Sequence, residues 1–494
     1  MLLPRLCLAG AVALGTAGLA VPAVAQDITI AIGSEPSTLD PQLRDDGGER
    51  QVNDNIYETL MARSATGELM PGLAEAAPTQ IDETTWEFEL RDGVTFHNGE
   101  PFNADSVVTS VERIIDPANN SEQMGYLNTI SGAEKVDDDT VRITTTGPDP
   151  ILPSRMYWMK MIPAEYGKTG NIGEEPVGTG PYKFVSWDRG NDIVLEANAD
   201  YWDGEPAVDK VTYRFVGESG TRLSGLMAGE FDVITNLLPE FVSTVPNAAA
   251  VDGLETSVLI LGTDNEGPMS DPKVREALNL AIDRDAMVEG LFQGYATVAG
   301  GHHINPRAFG FNADLEPYAY DPEKARELIE EAGAKGKTIR LVGESGRWLK
   351  SREQIETVAQ YWTEIGLNVE IEVQEFSQYL KSLMGDGPRP DAIFVANSNE
   401  LMDADRESSF IYHMEGAAAS NSDAEMAKMI DDARVTTDTG EREALYHAIF
   451  QKGRDLNYTA PLFNLQDIYG MSERMSWQPR TDQKLLIKEM SVSE

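Results

Sequence analysis

The residues best suited to catalysis or metal binding are scattered along this sequence. The five histidines are His97, His302, His303, His413 and His447, and only His302 and His303 are close to each other. Adjacent side chains do not share a helix face, so this pair cannot chelate a metal from one helix. We expect structural or surface roles for the pair, with capture of a metal or metal complex as the alternative.

Hydrolase signatures are absent from the sequence. A nucleophile elbow would read G-x-S-x-G, whereas Gly217-Glu218-Ser219 is followed by Gly220 and Thr221. No H-E-x-x-H zinc motif occurs either. A secreted hydrolase is therefore the least favoured functional class, and we expect no enzyme activity, no catalytic residues, no cofactor and no resident metal.

A polar loop follows the first strand pattern. Residues 27–32, DITIAI, alternate as a strand and lead into the two-proline loop 33–41 and the polar run 44–48. Open α/β sheets place ligands where strands end in such loops. The loop is thus a candidate ligand site, and a plain surface loop is the alternative.

The pentapeptide Val-Gly-Glu-Ser-Gly occurs twice, at 216–220 and at 342–346. Each copy follows a strand pattern and precedes a helix pattern. Five residues are too few to establish a repeat. Two lobes whose equivalent loops face one cleft would nevertheless produce such a repeated sequence.

The stretch 178–236 provides the clearest element pattern. Strands on either side of the turn 187–191 predict a β-hairpin, and residues 211–215 alternate as a further strand. Leu223, Leu226 and Met227 then fall at helical spacing. This switch of period predicts an α/β frame for one lobe.

Other helices are predicted from their first residues and apolar faces. Asn103 is a helix cap, and the pairs Asp271-Pro272 and Asp321-Pro322 are cap and first-turn residues. The spacing of Ile56, Leu60 and Met61 predicts a helix over 53–61. The order strand, helix, strand after residue 320 predicts βαβ units and a largely parallel sheet.

Length, charge and the N-terminus limit the possible functions. A chain of 494 residues is too long for one core. Its formal charge of −42 argues against nucleic acid or an anionic membrane as a partner.

Residues 1–25 have the basic end, apolar run and Ala-Val-Ala cleavage site of a secretory signal peptide, so we expect a periplasmic protein. Cys7 is the only cysteine, so the mature chain has no thiol chemistry.

Several long motifs resemble the peptide/nickel-type (family 5) extracytoplasmic solute-binding proteins of ABC transporters. They are TWEFELRDGVTFHNGEPFNADSVVTSVER, GTGPYKFVSW, EANADYWDGEP, DPKVREALNLAIDRDAMVEGLFQG, YDPEKARELIEEAG and YWTEIGLNVEIE. They occur in the family's order, and the resemblance covers essentially the whole mature chain.

The resemblance implies an α/β, two-lobed periplasmic-binding-protein fold with a hinge and an additional inserted α+β subdomain. We expect lobe I to comprise 26–52, 172–260 and 466–494, the inserted lobe II to comprise 53–171, and lobe III to comprise 261–465. The family's lobes close over a ligand without catalysis, and the closed form docks on a membrane permease. The expected partners are therefore a peptide or small-molecule ligand and the permease subunits, with the protein itself a monomer.

The resemblance also implies a carboxylate-binding residue. Dipeptide-binding members use an arginine placed just after a strand of the third lobe, and Arg347 fills that place here. A planar guanidinium pairs with a carboxylate through two hydrogen bonds. An exposed arginine at a loop end is the alternative.

The implied amine anchor departs from the family pattern. Where members carry a Gly-Trp-x-x-Asp-like run, Asn397 replaces the tryptophan and Glu400 falls near the aspartate position. Asp403 and Asp405 are the alternatives. This departure puts peptide specificity in doubt and keeps a second class open, in which the same fold binds a metal complex, haem, an opine or an oligosaccharide.

Three further segments match positions that line the family's ligand site. Asn236 matches a hinge-side position that contacts the ligand backbone. The run from Asp45 to Gly47 and the residue Tyr126 match other lining segments.

Overall fold

The computed structural model describes residues 26–44, 47–264, 267–344, 347–385 and 389–493. The expected signal peptide, Asp45 and the last two residues of the second Val-Gly-Glu-Ser-Gly copy lie outside these residues. Among the helices that are described, none is both long and apolar enough to cross a membrane.

The first lobe begins with strand β1 (Asp27–Ile32) and helix α1 (Gly47–Ile56). The predicted helix over 53–61 is wrong in its bounds, because the buried face of α1 is largely polar. Asn55, for example, donates to the Leu485 carbonyl at 2.8 Å and accepts from the Ile487 amide at 2.9 Å. Apolar spacing alone could not reveal such a face.

The chain then enters an inserted α+β lobe. The predicted cap is confirmed: the Asn103 side chain accepts from the Asp105 and Ser106 amides at the start of α2. The sheet order is β4-β5-β7-β6. The elements are β2 (Met61–Arg63), β3 (Leu69–Pro71), β4 (Thr79–Asp82), β5 (Thr85–Glu89), α2 (Ala104–Ile115), α3 (Met124–Leu127), β6 (Ile130–Lys135), β7 (Thr140–Thr145), α4 (Leu152–Arg155) and α5 (Tyr166–Thr169).

The returning chain passes directly against the chain that left. The Gly180 amide donates to the Ile56 carbonyl at 2.9 Å. A Cβ on Gly178 would lie 1.9 Å from that same carbonyl oxygen, so a side chain at 178 would clash with backbone. The predicted hairpin, strand and helix then follow. They are β8 (Tyr182–Asp188), β9 (Asp192–Ala197), β10 (Lys210–Phe215), α6 (Ser219–Ala228), β11 (Val233–Ile234) and the long β12 (Asn247–Leu261).

The third lobe follows β12, and the chain ends back at the first lobe. Asp271 and Asp321 cap their helices as predicted, accepting from the Lys273 and Lys324 amides. The elements are α7 (Pro272–Leu280), α8 (Arg284–Phe292), β13 (Ala296–Val298), α9 (Pro322–Glu331), β14 (Thr338–Glu344), α10 (Ser351–Glu364), β15 (Asn368–Gln374), α11 (Phe376–Met384), β16 (Ala392–Ser398), α12 (Ala404–Glu407), α13 (Ala424–Val435), α14 (Thr439–Asp455), β17 (Thr459–Met471), β18 (Met475–Ser476) and β19 (Ser491–Val492).

One mixed sheet joins the first and third lobes. Its order in the described chain is β15-β14-β16-β12-β17-β11-β1-β10-β9-β8, with β13 also paired to β17. The βαβ pairings are parallel: β14 with β15 and β16, and β1 with β10 and β11. The expectation of a largely parallel sheet is wrong, because β12 and β17 pair antiparallel with each other and with their other neighbours.

Separate hydrophobic cores correspond to the lobes. Tyr57 belongs to the core beneath β1 and β8–β10, whereas Leu60 belongs to the core of the inserted lobe. On the return, Met161 belongs to the inserted core and Ile162 to the first. Two further cores pack on opposite faces of the third lobe's sheet. The lobe boundaries expected from the resemblance stay predictions.

A candidate ligand-binding cleft

A cleft of about 710 Å³ lies between the first and third lobes. Its first-lobe wall comes from loops at the carboxyl ends of parallel strands: Gly33 after β1, Gly217 after β10 and Asn236 after β11. The N-terminus of α1 adds Gly47 and Arg50. Strand ends thus supply the polar loops around the cleft, as expected for an open α/β sheet.

The opposite wall comes from the loop after β14 and the first turn of α10. It includes residues 347–353. The floor is formed by the two long antiparallel strands, which contribute Glu255 from β12 and the run 465–468 from β17. Their register shifts between Asp252 and Thr256, and such a bulge bends a strand locally.

Arg347 presents a guanidinium to the cleft. It is exposed, and its charged group lies 4.6 Å above the centre of the Phe376 ring. Within the part of the chain that is described, its side chain forms neither an ion pair nor a hydrogen bond; only its backbone amide does, to Glu344. The guanidinium is positioned by cation–π contact and keeps its donors for another group.

Glu255 is the corresponding carboxylate on the floor. It is half-buried at the β12 bulge, and no described residue pairs with its side chain. Burial, and then the neighbouring Asp467, raise the pKa of Glu255 to about 8, while Arg347 opposes the rise. A cation bound beside this carboxyl group would favour its ionised form.

Asp467 lies beside it on β17. Its Oδ1 accepts from the Gln483 amide at 2.9 Å, whereas its Oδ2 is enclosed without a partner among the described atoms. A Cβ on Gly253 would lie 2.5 Å from that Oδ2, so the missing side chain at 253 makes room for the carboxyl group. Burial raises the pKa of Asp467 to about 7.

The segment 397–407 is arranged differently, because its acids already have protein partners. Glu400 accepts from Arg50 at 2.9 Å and from the Tyr126 hydroxyl at 3.4 Å. Asp403 receives two hydrogen bonds from Arg442, at 2.7 and 2.6 Å. Glu400 thereby connects the third lobe to the other two, whereas the pair of Asp403 and Arg442 lies within the third lobe.

Two more residues of this segment have partners of the same kind. Asn397 donates to Glu407 at 2.9 Å, and Asp405 accepts from Arg434 at 3.1 Å. Asp405 also lies 3.6 Å from Arg155 of the inserted lobe.

The structure therefore divides the expected site residues into two groups. Gly47, Asn236 and Arg347 line the cleft. Asn236 adopts a left-handed backbone with φ of +53°, and its side chain makes no hydrogen bond to the described residues. The other group, Tyr126, Asn397, Glu400 and Asp403, lies in the contacts just described, and Asp45 falls outside the described residues.

Sequence reasoning missed Glu255, Asp467 and an ion pair that crosses the cleft. Lys350, from the third lobe, lies 2.8 Å from Glu240 of the first lobe. A signal for Glu255 existed: it is an acid inside the strand sequence GLETSVLIL, which is otherwise uncharged. An isolated acid in an apolar strand is a candidate for function, because burying a charge without a partner is unfavourable.

His302 and His303 have structural surroundings. His302 stacks on Phe450 at 4.7 Å and contacts the Asn312 backbone, and His303 packs edge-on against Tyr412. Burial lowers the pKa of His302 to about 4 and that of His303 to about 3, so both rings are neutral at pH 7.

The sequence is similar to that of known solute-binding proteins. Residues 68–419 match the family described as bacterial extracellular solute-binding proteins, family 5 middle. The glutathione-binding protein GsiB of Escherichia coli strain K12 is 29% identical over 398 residues, which cover 78% of this chain and 77% of that protein.

Solved structures are similar over almost the whole chain. The periplasmic protein DppA of Helicobacter pylori, in complex with the peptide STSA, is 26% identical with a TM-score of 0.79, covering 95% of this chain and 98% of that one. AgaA of A. tumefaciens R10, in complex with agropinic acid, is 25% identical with a TM-score of 0.79, covering 95% and 99%. The protein CtaP of Listeria monocytogenes, 23% identical with a TM-score of 0.85 and covering 95% and 100%, shares the fold. The expected multi-lobed periplasmic-binding-protein fold is confirmed.

Proposed function

Because the chain belongs to the family 5 bacterial extracellular solute-binding proteins, we propose that its cleft captures a peptide or a similarly small amphoteric solute for an ABC importer. The lobes close on the solute, and the loaded receptor delivers it to the membrane permease. The protein acts in the periplasm as a monomer, with no nucleic acid partner.

One observation carries this proposal: the cleft holds a guanidinium and a carboxyl group, those of Arg347 and Glu255, that form no ion pair or hydrogen bond with the described protein. Its volume of about 710 Å³ is within the range of roughly 300–1,000 Å³ typical of small-molecule sites. A solute with a carboxylate and a cationic group complements Arg347 on the wall and Glu255 on the floor.

Closure follows from the strands that connect the lobes. β12 and β17 run through both halves of the mixed sheet and are bulged beneath the cleft. A ligand that contacts Arg347 on one lobe and residues of the first lobe on the other stabilises the closed state relative to the open one. Reversing a 1:99 population needs ~5.5 kcal/mol of differential affinity, and truncating one partner of a desolvated charge pair costs roughly 2–5 kcal/mol.

The known ligands of similar proteins support cargo of this kind. One relative is named glutathione-binding, one structure contains the peptide STSA and another contains agropinic acid. Native mass spectrometry of the purified protein tests the class directly. A retained peptide or amphoteric solute is expected, and a retained sugar, haem or metal complex would overturn the proposal.

The role of Arg347 is tested by calorimetry with the retained solute and with di- and tripeptides. We expect Arg347→Ala to weaken binding of carboxylate-bearing ligands by about 2–5 kcal/mol. Arg340→Ala is the matched control, because Arg340 lies on the preceding strand and pairs with Glu372 away from the cleft. Unchanged affinity in Arg347→Ala would remove this arginine from the site.

A further inference from the structure

We propose that Glu255, rather than the acids of segment 397–407, is the subsite that binds the cationic group of the ligand. This inference rests on the proposed receptor function and specifies the ligand class, which is a solute carrying an ammonium or guanidinium group together with a carboxylate. Glu255 then determines specificity from the cleft floor, opposite Arg347.

The competing acids are occupied by arginines of the protein itself. The Glu400 side chain is only 7% exposed and pairs with Arg50. Asp403 is held by both terminal nitrogens of Arg442. A ligand amine would have to displace these guanidiniums, and at Asp403 this would leave the buried Arg442 without its carboxylate, which is strongly destabilising.

Glu407 and Asp405 are held in the same way. Glu407 pairs with Arg406 at 2.6 Å, and Asp405 with Arg434 at 3.1 Å. Neither residue lines the cleft. The segment therefore offers no acid that a ligand could reach without breaking an ion pair.

Glu255 differs from these acids in two ways, its access from the cleft and its lack of an ion-pair partner among the described residues. It lines the cleft, and no described residue forms an ion pair or a hydrogen bond with its side chain. The charged groups around it are Asp467, Arg347, Glu400 and Arg50. Asp467 adds negative potential at the floor, whereas Arg50 is engaged by Glu400 and Arg347 projects from the opposite wall.

The position at the β12 bulge adds a geometric reason. Residues before the bulge pair with the part of β17 that lies beside the first lobe, and residues after it pair within the third lobe. A cation bound at Glu255 therefore lies at the bulge, where the two halves of the sheet bend relative to each other. Binding there favours one interlobe angle, which links recognition to closure.

The test compares free-amine di- and tripeptides with the same peptides acetylated at the N-terminus. Calorimetry is done on ligand-stripped mature protein. We expect wild type to prefer the free-amine panel, and Glu255→Gln to lose at least about thirtyfold in affinity for it and to lose the preference. Glu255→Asp keeps the charge and should retain part of the preference.

Two further variants complete the design. Asp252→Asn is the matched control: an exposed acid on the same strand, outside the cleft, which should retain wild-type affinities. Glu400→Gln should retain the preference for a free amine, since its partner is Arg50. Thermal melts establish that each variant is folded.

The outcomes separate this inference from the receptor function. Binding with no preference for the free amine, or a preference that survives in Glu255→Gln and disappears in Glu400→Gln, overturns the role of Glu255 and leaves the receptor function standing. A wild-type protein that binds neither panel overturns both the peptide cargo and this inference.

Discussion

The acids at the cleft floor and the acids of segment 397–407 differ in what neutralises them. Asp403, Asp405 and Glu407 each contact an arginine of the third lobe, and Glu400 contacts Arg50 of the first. Glu255 has no such partner among the described residues, and Asp467 has only an amide. An acid paired with an arginine stabilises the folded protein, whereas an acid that lines the cleft without such a partner is accessible to a ligand.

The largest expected effect is the loss of stability when a paired acid of segment 397–407 is replaced. Asp403→Asn leaves the buried Arg442 without its carboxylate, which costs about 3–5 kcal/mol in the free energy of unfolding. Urea unfolding measures the loss. Asp432→Asn, at an exposed pair with Lys428, should cost less than about 1 kcal/mol. Equal effects in the two variants would contradict a structural role for Asp403.

The second prediction concerns pH and the cleft floor. The pKa of Glu255 is raised to about 8 from 4.5, so the folded protein keeps a proton that the unfolded chain releases. This contribution to stability is complete below about pH 4.5 and is lost as pH rises through about 8. Ligand-free wild type should therefore lose more thermal stability between pH 5 and 9 than Glu255→Gln. An equal decrease in melting temperature between pH 5 and 9 in wild type and in Glu255→Gln would contradict this expectation.

Binding of a cationic ligand should remove the proton from Glu255, whereas folding retains it. The ligand stabilises the ionised form of Glu255, so binding of a solute whose guanidinium is charged at both pH values should release close to one proton at pH 7 and almost none at pH 9.5. Calorimetry in two buffers of different ionisation enthalpy measures this release. Asp252→Asn should behave like wild type, and Glu255→Gln should release none from this site.

The smallest effect belongs to the pair that crosses the cleft. Lys350 and Glu240 lie at 2.8 Å, with side chains 16% and 34% exposed. A double-mutant cycle of Lys350→Ala and Glu240→Gln on ligand affinity should give a coupling of about 1 kcal/mol or less. Raising the ionic strength should reduce it. A coupling above about 2 kcal/mol would show that this pair, and not the ligand, sets closure.

Local patterns predicted local structure well. The hairpin around 187–191 and the caps Asn103, Asp271 and Asp321 are confirmed, because turns and caps depend on neighbouring residues. The antiparallel pairing at the centre of the sheet could not be predicted in this way. It results from β17, which pairs with a strand about 200 residues earlier, and no local periodicity encodes such a partner.

The site was partly predictable for the same reason. Arg347 and Asn236 were expected from the family resemblance, and both follow strands and line the cleft. Glu255 lies within a strand, and its importance depends on which residues are missing around it. Glu400 matched a family position, but its arginine partner comes from residue 50, far away in sequence.

The contact of Gly178 and Gly180 with the end of α1 has an evolutionary consequence. The chain's exit to the inserted lobe and its re-entry touch at one place, so residues between them form a closed cassette on the first lobe. Lengthening such a loop adds little to the entropy of closing it. Insertions or deletions within this cassette are therefore expected to leave the path of the main sheet unchanged.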